Sequence, residues 1–239
     1  MIILGHVLAT LIIVGFPVWD VLETRALKSS TNPRRKIITY QRIIAVEWIS
    51  SLITLIALRS QLFVIWPAAR DTVLQKIGLS FVLGLVSAFV IMLVLQVFLT
   101  RHNAKMREKV LQAFKRMAFI LPVTLEERTW FLLVSLTAGC CEEILYRGFL
   151  IRYFADFPWH TEIWIAIAIS SLAFGLAHGY QGLTGMIATA VIGALMAIVF
   201  AVTGSLWLPI ALHTVLDLRV LFLLRPGELF SEVPADHVS

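Results

Sequence analysis

One short stretch of this sequence, GCCEEILYRGF at residues 139–149, places three ionisable side chains inside a long apolar run. Ionisable groups within a membrane span cost at least ~2.5 kcal/mol each, so they usually mark function. Glu143 and Arg147 are four residues apart, and we expect them to form an ion pair on one helix face. Glu142 points about 100° away, and a carboxylate in a partly wet cavity can serve as a general base. The alternative is a charge cluster that only holds helices together.

Two further stretches supply imidazole groups at the same spacing. FGLAH places Phe174 four residues before His178, and HTVLD places His213 four residues before Asp217. Each pair is expected to share a helix face. A carboxylate beside an imidazole orients the ring and raises its basicity, which is the role expected of Asp217. Taken alone, these patterns are also typical of helix capping, core packing or a buried hydrogen-bonded pair.

Together, Glu142, His178, His213 and Asp217 come from three apolar segments and suit two kinds of chemistry. A general base could activate water while the imidazoles stabilise an oxyanion. The same four groups could instead hold a divalent metal such as zinc, with a water in the open position. The HExxH and GxSxG motifs are both absent from the sequence, so neither the familiar zinc helix nor a serine elbow applies.

The elements that must position these groups are membrane-spanning helices. The 239 residues are 59% hydrophobic and 15% charged, and the mean hydropathy is +0.87; soluble domains carry about 25% charged residues. A spanning helix needs about 20 mostly apolar residues. We therefore predict an all-α, polytopic transmembrane helical bundle of about seven spans. The predicted spans are residues 1–19, 38–58, 77–100, 129–151, 162–178, 183–203 and 205–224.

Helix lengths indicate which groups can meet. Spans four and five are expected to form a hairpin that turns near residues 156–161. With the turn at residue 160, Glu142 and His178 both lie about 27 Å from it, at matching depth. His213 lies only ~15 Å from its own turn, so its approach requires a tilted or broken helix.

Basic residues in the loops predict the orientation of the chain. The first three loops hold six, three and seven Lys and Arg residues, which places the first and third in the cytoplasm. We predict an integral, multi-pass protein of a prokaryotic plasma membrane, with the N-terminus outside and the C-terminus cytoplasmic. We expect span one to be retained in the mature protein and not cleaved as a signal peptide. Residues 61–70 are expected to form an interfacial segment, and the tail after Arg225 is expected to be frayed. The basic residues lie between apolar spans, so no nucleic-acid partner is expected.

The three motifs, in this order on apolar helices, resemble those of the CPBP intramembrane proteases, also called the type II CAAX prenyl endopeptidase or Abi family. EExxxR is residues 142–147, FxxxH is residues 174–178, and HxxxN/D is residues 213–217. The resemblance covers roughly residues 125–225. It divides the chain into N-terminal transmembrane helices with basic loops (1–124), a protease core (125–225) and a polar tail (226–239).

The resemblance implies an intramembrane endopeptidase whose partners are the lipid bilayer and a membrane protein or peptide substrate, including lipidated ones. It implies that Glu142 is the base, that Glu143 supports it with Arg147, and that His178 and His213 stabilise the oxyanion or hold a metal. Phe174 is expected to support the site together with Glu143 and Arg147. Asp217 stands where the eukaryotic enzymes have Asn, and the added negative charge favours a metal or a protonated His213.

Two other classes of protein stay open from the sequence. One is a non-catalytic immunity or scaffold protein on the same fold, although a complete set of Glu, His and Asp argues against loss of the site. The other is a proton-coupled transporter, since buried Glu, His and Asp also suit proton relays. The sequence shows no inverted repeat of the kind that transporters often carry.

Overall fold

The computed structural model describes residues 2–57, 72–156 and 158–228, and over these ranges the chain is helical without strands. We number its α-helices along the chain. They are α1 (Ile2–Thr10), α2 (Phe16–Ser29), α3 (Arg35–Ala57), α4 (Thr72–His102), α5 (Ala104–Lys115), α6 (Leu125–Glu142), α7 (Ile151–Ala155), α8 (Ile163–Leu176), α9 (Gly182–Thr203) and α10 (Trp207–Leu223). Leu11–Gly15 and Glu143–Leu150 are π-helical, and Gly179–Gln181 is a 3-10 turn.

The helices follow the predicted spans closely, with two differences. The first helical rod continues past the predicted end at residue 19 to Ser29, because α2 follows the π-helical segment without a break. A separate helix, α5, lies in the third predicted loop and begins at an Asn103 cap whose side chain accepts the Met106 N–H. The predicted interfacial segment 61–70 and most of the predicted frayed tail lie outside the described residues.

Four helices in the described part of the chain are long and apolar enough to cross a membrane. They are Ile3–Ser29, Ser80–His102, Leu125–Ala155 and Gly179–Thr203. Of the other predicted spans, α8 has 14 residues and α10 has 17, and both are short for a bilayer. The all-α membrane bundle is therefore confirmed, while the count of seven spans, the orientation and the prokaryotic membrane stay predictions.

The outer surface of the bundle is apolar. On α4, Ile91 and Val94 are each 64% exposed and Phe98 is 55% exposed; on α9, Leu183 and Ile187 face outward as well. Contiguous apolar surface of this kind is rare on soluble monomers, and it suits contact with lipid. The protein is an integral membrane protein.

Helix α6 and the π-helical segment that continues it form the axis of the bundle. Helices α3 and α10 pack against α6, and α8 and α9 pack together as a hairpin beside it. The contact of α6 with α10 is very close at Gly139, where a Cβ atom would lie 2.1 Å from Oγ1 of Thr214. Since His213 precedes Thr214, this approach brings His213 to the level of Glu142.

The N-terminal helices are tied to one another and to this axis. Glu23 of α2 accepts hydrogen bonds from Arg35 (2.8 Å), Thr39 (2.8 Å) and Arg42 (3.2 Å) of α3. Nε1 of Trp48 on α3 donates to Oγ1 of Thr137 on α6, at 3.2 Å. The two predicted regions on either side of residue 124 are thus in direct contact, and the boundary between them stays a prediction.

Candidate active site

A cavity of about 320 Å³ lies within the bundle. Its lining includes six of the seven predicted site residues: Glu142, Glu143, Phe174, His178, His213 and Asp217. The seventh, Arg147, is fully buried behind this wall. The structure therefore brings together groups that are up to 75 positions apart, between Glu142 and Asp217, in the sequence.

The predicted ion pair is confirmed. Nη1 of Arg147 donates to Oε1 of Glu143 at 2.8 Å, and both residues are 0% exposed. Nη2 of Arg147 donates to the carbonyl oxygen of Gly193 at 3.1 Å. The pair lies in the π-helical segment, a local widening that is frequent at functional sites. A Cβ at residue 193 would lie 3.2 Å from Nη2 and 3.0 Å from the Phe174 ring, so α9 approaches closely because residue 193 is glycine.

His213 lies closer to Glu143 than to Asp217. Nδ1 of His213 lies 2.8 Å from Oε1 of Glu143. Because an ionised carboxylate only accepts hydrogen bonds, Nδ1 carries the hydrogen and donates it. Nε2 then faces two other carboxylates: Oε2 of Glu142 is 3.6 Å away and Oδ2 of Asp217 is 3.8 Å away. Asp217 does lie beside the ring, as predicted, but Glu143 is the closer carboxylate. The role of Asp217 in orienting the ring stays a prediction.

His178 lies at the end of α8 and is held by its own helix. Nδ1 of His178 bonds to the carbonyl oxygen of Phe174 at 2.8 Å, which leaves Nε2 without that constraint. The Phe174 ring packs against both imidazoles, with centroid separations of 4.7 Å to His178 and 5.7 Å to His213. The guanidinium of Arg147 lies 4.3 Å from the centroid of the same ring. Phe174 therefore sets the spacing of three polar groups.

Helix lengths predicted the relative depth of the site residues only in part. The turn between α7 and α8 falls at the predicted place, and Glu142 and His178 do line one cavity. Helix length placed His213 at a different depth from Glu142. His213 is nevertheless the imidazole in contact with Glu142. The close packing at Gly139 supplies the approach that helix length alone could not predict.

Three acidic residues of the cavity lining were missed in the sequence: Asp20, Glu23 and Glu47. Glu47 of α3 is 7% exposed, and Asp20 of α2 accepts the backbone N–H of Tyr180 at 3.0 Å. Tyr180 belongs to the 3-10 turn directly after His178, so Asp20 holds that turn from the N-terminal half. The sequence could have revealed Glu47, which lies in the second predicted span. An acidic residue in the middle of an apolar span costs as much free energy in span two as in span four.

The residues do not form a metal centre in this arrangement. Within the described ranges, no group of three His, Cys, Asp or Glu side chains is placed to hold a metal ion. The Nδ1 atoms of His178 and His213 are bonded to Phe174 and Glu143, so only the Nε2 atom of each ring could bind a metal. We therefore derive no chemical step through a metal.

The fold and the site define an all-α membrane protein with carboxylates and imidazoles around an internal cavity. Residues 124–219 match the family model described as type II CAAX prenyl endopeptidase Rce1-like. Comparisons with curated proteins and with solved structures gave no match. The family match confirms the resemblance and places this segment in the CPBP, or CAAX protease, family. In general terms, this match supports a CAAX-protease-like intramembrane endopeptidase, a family that acts on protein substrates at the lipid bilayer.

Proposed function

We propose that this protein hydrolyses a peptide bond within the membrane, using a water molecule that Glu142 deprotonates. The observation that carries the proposal is the position of Glu142, whose Oε2 lies on the cavity wall 3.6 Å from Nε2 of His213. Among the described residues, this oxygen is buried and has no hydrogen-bond partner. A carboxylate oxygen in that state has an acceptor site free for a water.

The first step forms the new bond to carbon. Glu142 takes a proton from water, and the oxygen of that water attacks the carbonyl carbon of the substrate. The carbonyl oxygen gains negative charge, and Nε2 of protonated His213 donates a hydrogen bond to it. Glu143, bonded to Nδ1, and Asp217, beside Nε2, both favour the protonated ring. In its neutral form with a hydrogen on Nδ1, His178 offers Nε2 as an acceptor for the attacking water.

The second step breaks the peptide bond. The carbon–nitrogen bond of the tetrahedral intermediate cleaves, and the proton held by Glu142 passes to the departing nitrogen. The products are a carboxylic acid and an amine, and Glu142 returns to its carboxylate form. Arg147 takes no part in proton transfer, because it is bonded to Glu143 and to the Gly193 carbonyl.

The cavity suits a substrate with apolar side chains or an attached lipid. Aromatic and aliphatic residues also line the cavity, among them Trp19, Leu27, Phe119 and Phe131. Such walls bind apolar groups by removing them from water or from the headgroup region. A lipidated membrane protein or peptide is therefore part of the proposal.

The test is cleavage of a membrane-peptide library by purified wild-type and Glu142→Gln protein. We expect the wild type to cleave a subset of the library and the variant to lose at least about 100-fold in rate. Glu126→Gln is the matched control, because the carboxylate of Glu126 pairs with Arg34 at the surface, away from the cavity. A parallel arm with a strong chelator determines whether hydrolysis depends on a metal. Equal cleavage by wild type and Glu142→Gln would contradict the proposal.

A further inference from the structure

The cavity contains a carboxylate that the proposed chemistry does not use. Glu47 of α3 lines the cavity and is 7% exposed, and its Oε2 has no hydrogen-bond partner among the described residues. A buried carboxylate oxygen without a partner is costly, and most buried polar atoms in folded proteins are bonded. The folding of this chain alone therefore does not explain why Glu47 occupies this position.

A hydrogen bond between α3 and α6 positions Glu47 near Glu142, the proposed base. One turn beyond Glu47, the hydroxyl of Ser51 donates to the carbonyl oxygen of Cys141 at 3.4 Å. Cys141 directly precedes Glu142. Glu47, Glu142 and Asp217 all line the same cavity.

Two arginines near the site, Arg147 and Arg219, form hydrogen bonds with groups other than Glu47, although the Nε atom of each has no partner among the described residues. Arg147 donates to Glu143 and to the Gly193 carbonyl. Arg219, which also lines the cavity, donates from Nη1 to the carbonyl oxygen of Leu216 at 3.2 Å. Neither hydrogen bond reaches Glu47. The cavity wall thus contains a buried carboxylate oxygen for which the described residues supply no donor.

We propose that Glu47 is a specificity residue that binds a basic side chain, a lysine or arginine, of the substrate. This inference rests on the proposed peptidase function and specifies its substrate class. A cation at Glu47 supplies the donor that Oε2 lacks, and it also offsets the negative charge of Glu142 and Asp217. Because Glu47 lies close to Glu142, the basic residue sits within a few positions of the bond that is hydrolysed.

The test compares matched peptides that differ by one charge. A peptide cleaved in the library is remade with lysine or with norleucine at each of the four positions around the cleaved bond. We expect lysine to be favoured at one position by about 10- to 100-fold in kcat/KM, the size of a charge-assisted hydrogen bond. In Glu47→Gln the ratio of the two peptides falls to about one. Glu47→Asp retains part of the preference, and Glu126→Gln retains all of it.

A binding measurement tests the subsite independently of hydrolysis. The Glu142→Gln protein and a Glu142→Gln/Glu47→Gln double variant are titrated with the same lysine and norleucine peptides in detergent. Tighter binding of the lysine peptide that disappears in the double variant supports the subsite, even where no hydrolysis is detected. Equal binding of both peptides to Glu142→Gln, or a lysine preference that survives in Glu47→Gln, overturns the assignment. Cleavage without any lysine preference refutes the subsite and leaves the peptidase proposal standing.

Discussion

The carboxylate of Glu143 joins two partners through a single oxygen: Oε1 lies 2.8 Å from Nη1 of Arg147 and 2.8 Å from Nδ1 of His213. The two residues of the EE pair therefore have different surroundings, although they are adjacent in the chain. Glu143 is enclosed between a guanidinium and an imidazole, and Glu142 faces the cavity. This difference is the basis for assigning support to one and base catalysis to the other.

Glu143→Gln is expected to reduce both stability and hydrolysis. The substitution leaves the buried guanidinium of Arg147 without a compensating charge, which typically costs about 3 to 5 kcal/mol. It also removes the negative charge that holds protonated His213. Thermal unfolding in detergent and cleavage of a library peptide measure the two effects.

The matching double variant separates these effects. Glu143→Gln/Arg147→Met removes the uncompensated charge, so part of the lost stability returns while hydrolysis does not. The exposed pair of Arg34 and Glu126 supplies the control, since Glu126→Gln is expected to leave unfolding unchanged. An unfolding temperature for Glu143→Gln equal to that of wild type would show that the pair contributes nothing to stability.

Gly139→Ala is expected to impair hydrolysis by moving α10. The added methyl would lie 2.1 Å from Oγ1 of Thr214 and 3.0 Å from its backbone nitrogen, so the helices must separate and His213 must shift. A displacement of about 1 Å in an active site can cost about 100-fold in rate.

Gly84→Ala is the matched control for that substitution, because no described atom outside the neighbouring helix backbone lies within 4 Å of a Cβ at residue 84. Thr214→Ala combined with Gly139→Ala should restore part of the activity, since it removes the nearest clashing atom. Full activity of Gly139→Ala alone would mean that the contact between α6 and α10 does not control the position of His213.

Asp20→Ala is expected to lower kcat by about 10-fold through the position of His178. Asp20 holds the Tyr180 N–H, and without this bond the turn after α8 is less constrained. Asp20→Asn retains an acceptor oxygen and should remain close to wild type. Single-turnover cleavage by the three proteins tests this, and equal loss in the Asn and Ala variants would indicate a role for the charge instead of the hydrogen bond.

Asp217→Asn is expected to keep most of the hydrolytic activity. The ring of His213 is oriented by Glu143 at 2.8 Å, whereas Asp217 is 3.8 Å from Nε2. The amide preserves the size and the hydrogen-bonding capacity of the side chain. A kcat/KM within about 10-fold of wild type is expected, and complete loss would show that the charge of Asp217 is required.

The sequence by itself determined the features that depend on one helix at a time. Composition and apolar runs predicted an all-α membrane bundle, because a bilayer requires long apolar helices whose backbone groups are bonded internally. The four-residue spacing predicted the contact of Glu143 with Arg147, and that of Phe174 with His178, because helical geometry places such residues on one face. The three motifs in order predicted the family.

The tertiary structure decided everything that depends on the register between helices. The sequence pattern paired His213 with Asp217, yet the closer partner is Glu143, because α10 packs against α6 at Gly139. Glu47 and Asp20 also entered the site through contacts between helices, from α3 and α2, which lie outside the matched segment. Helical periodicity determines which side chains share a face, but the sliding and rotation of one helix against another are set by close packing between distant residues.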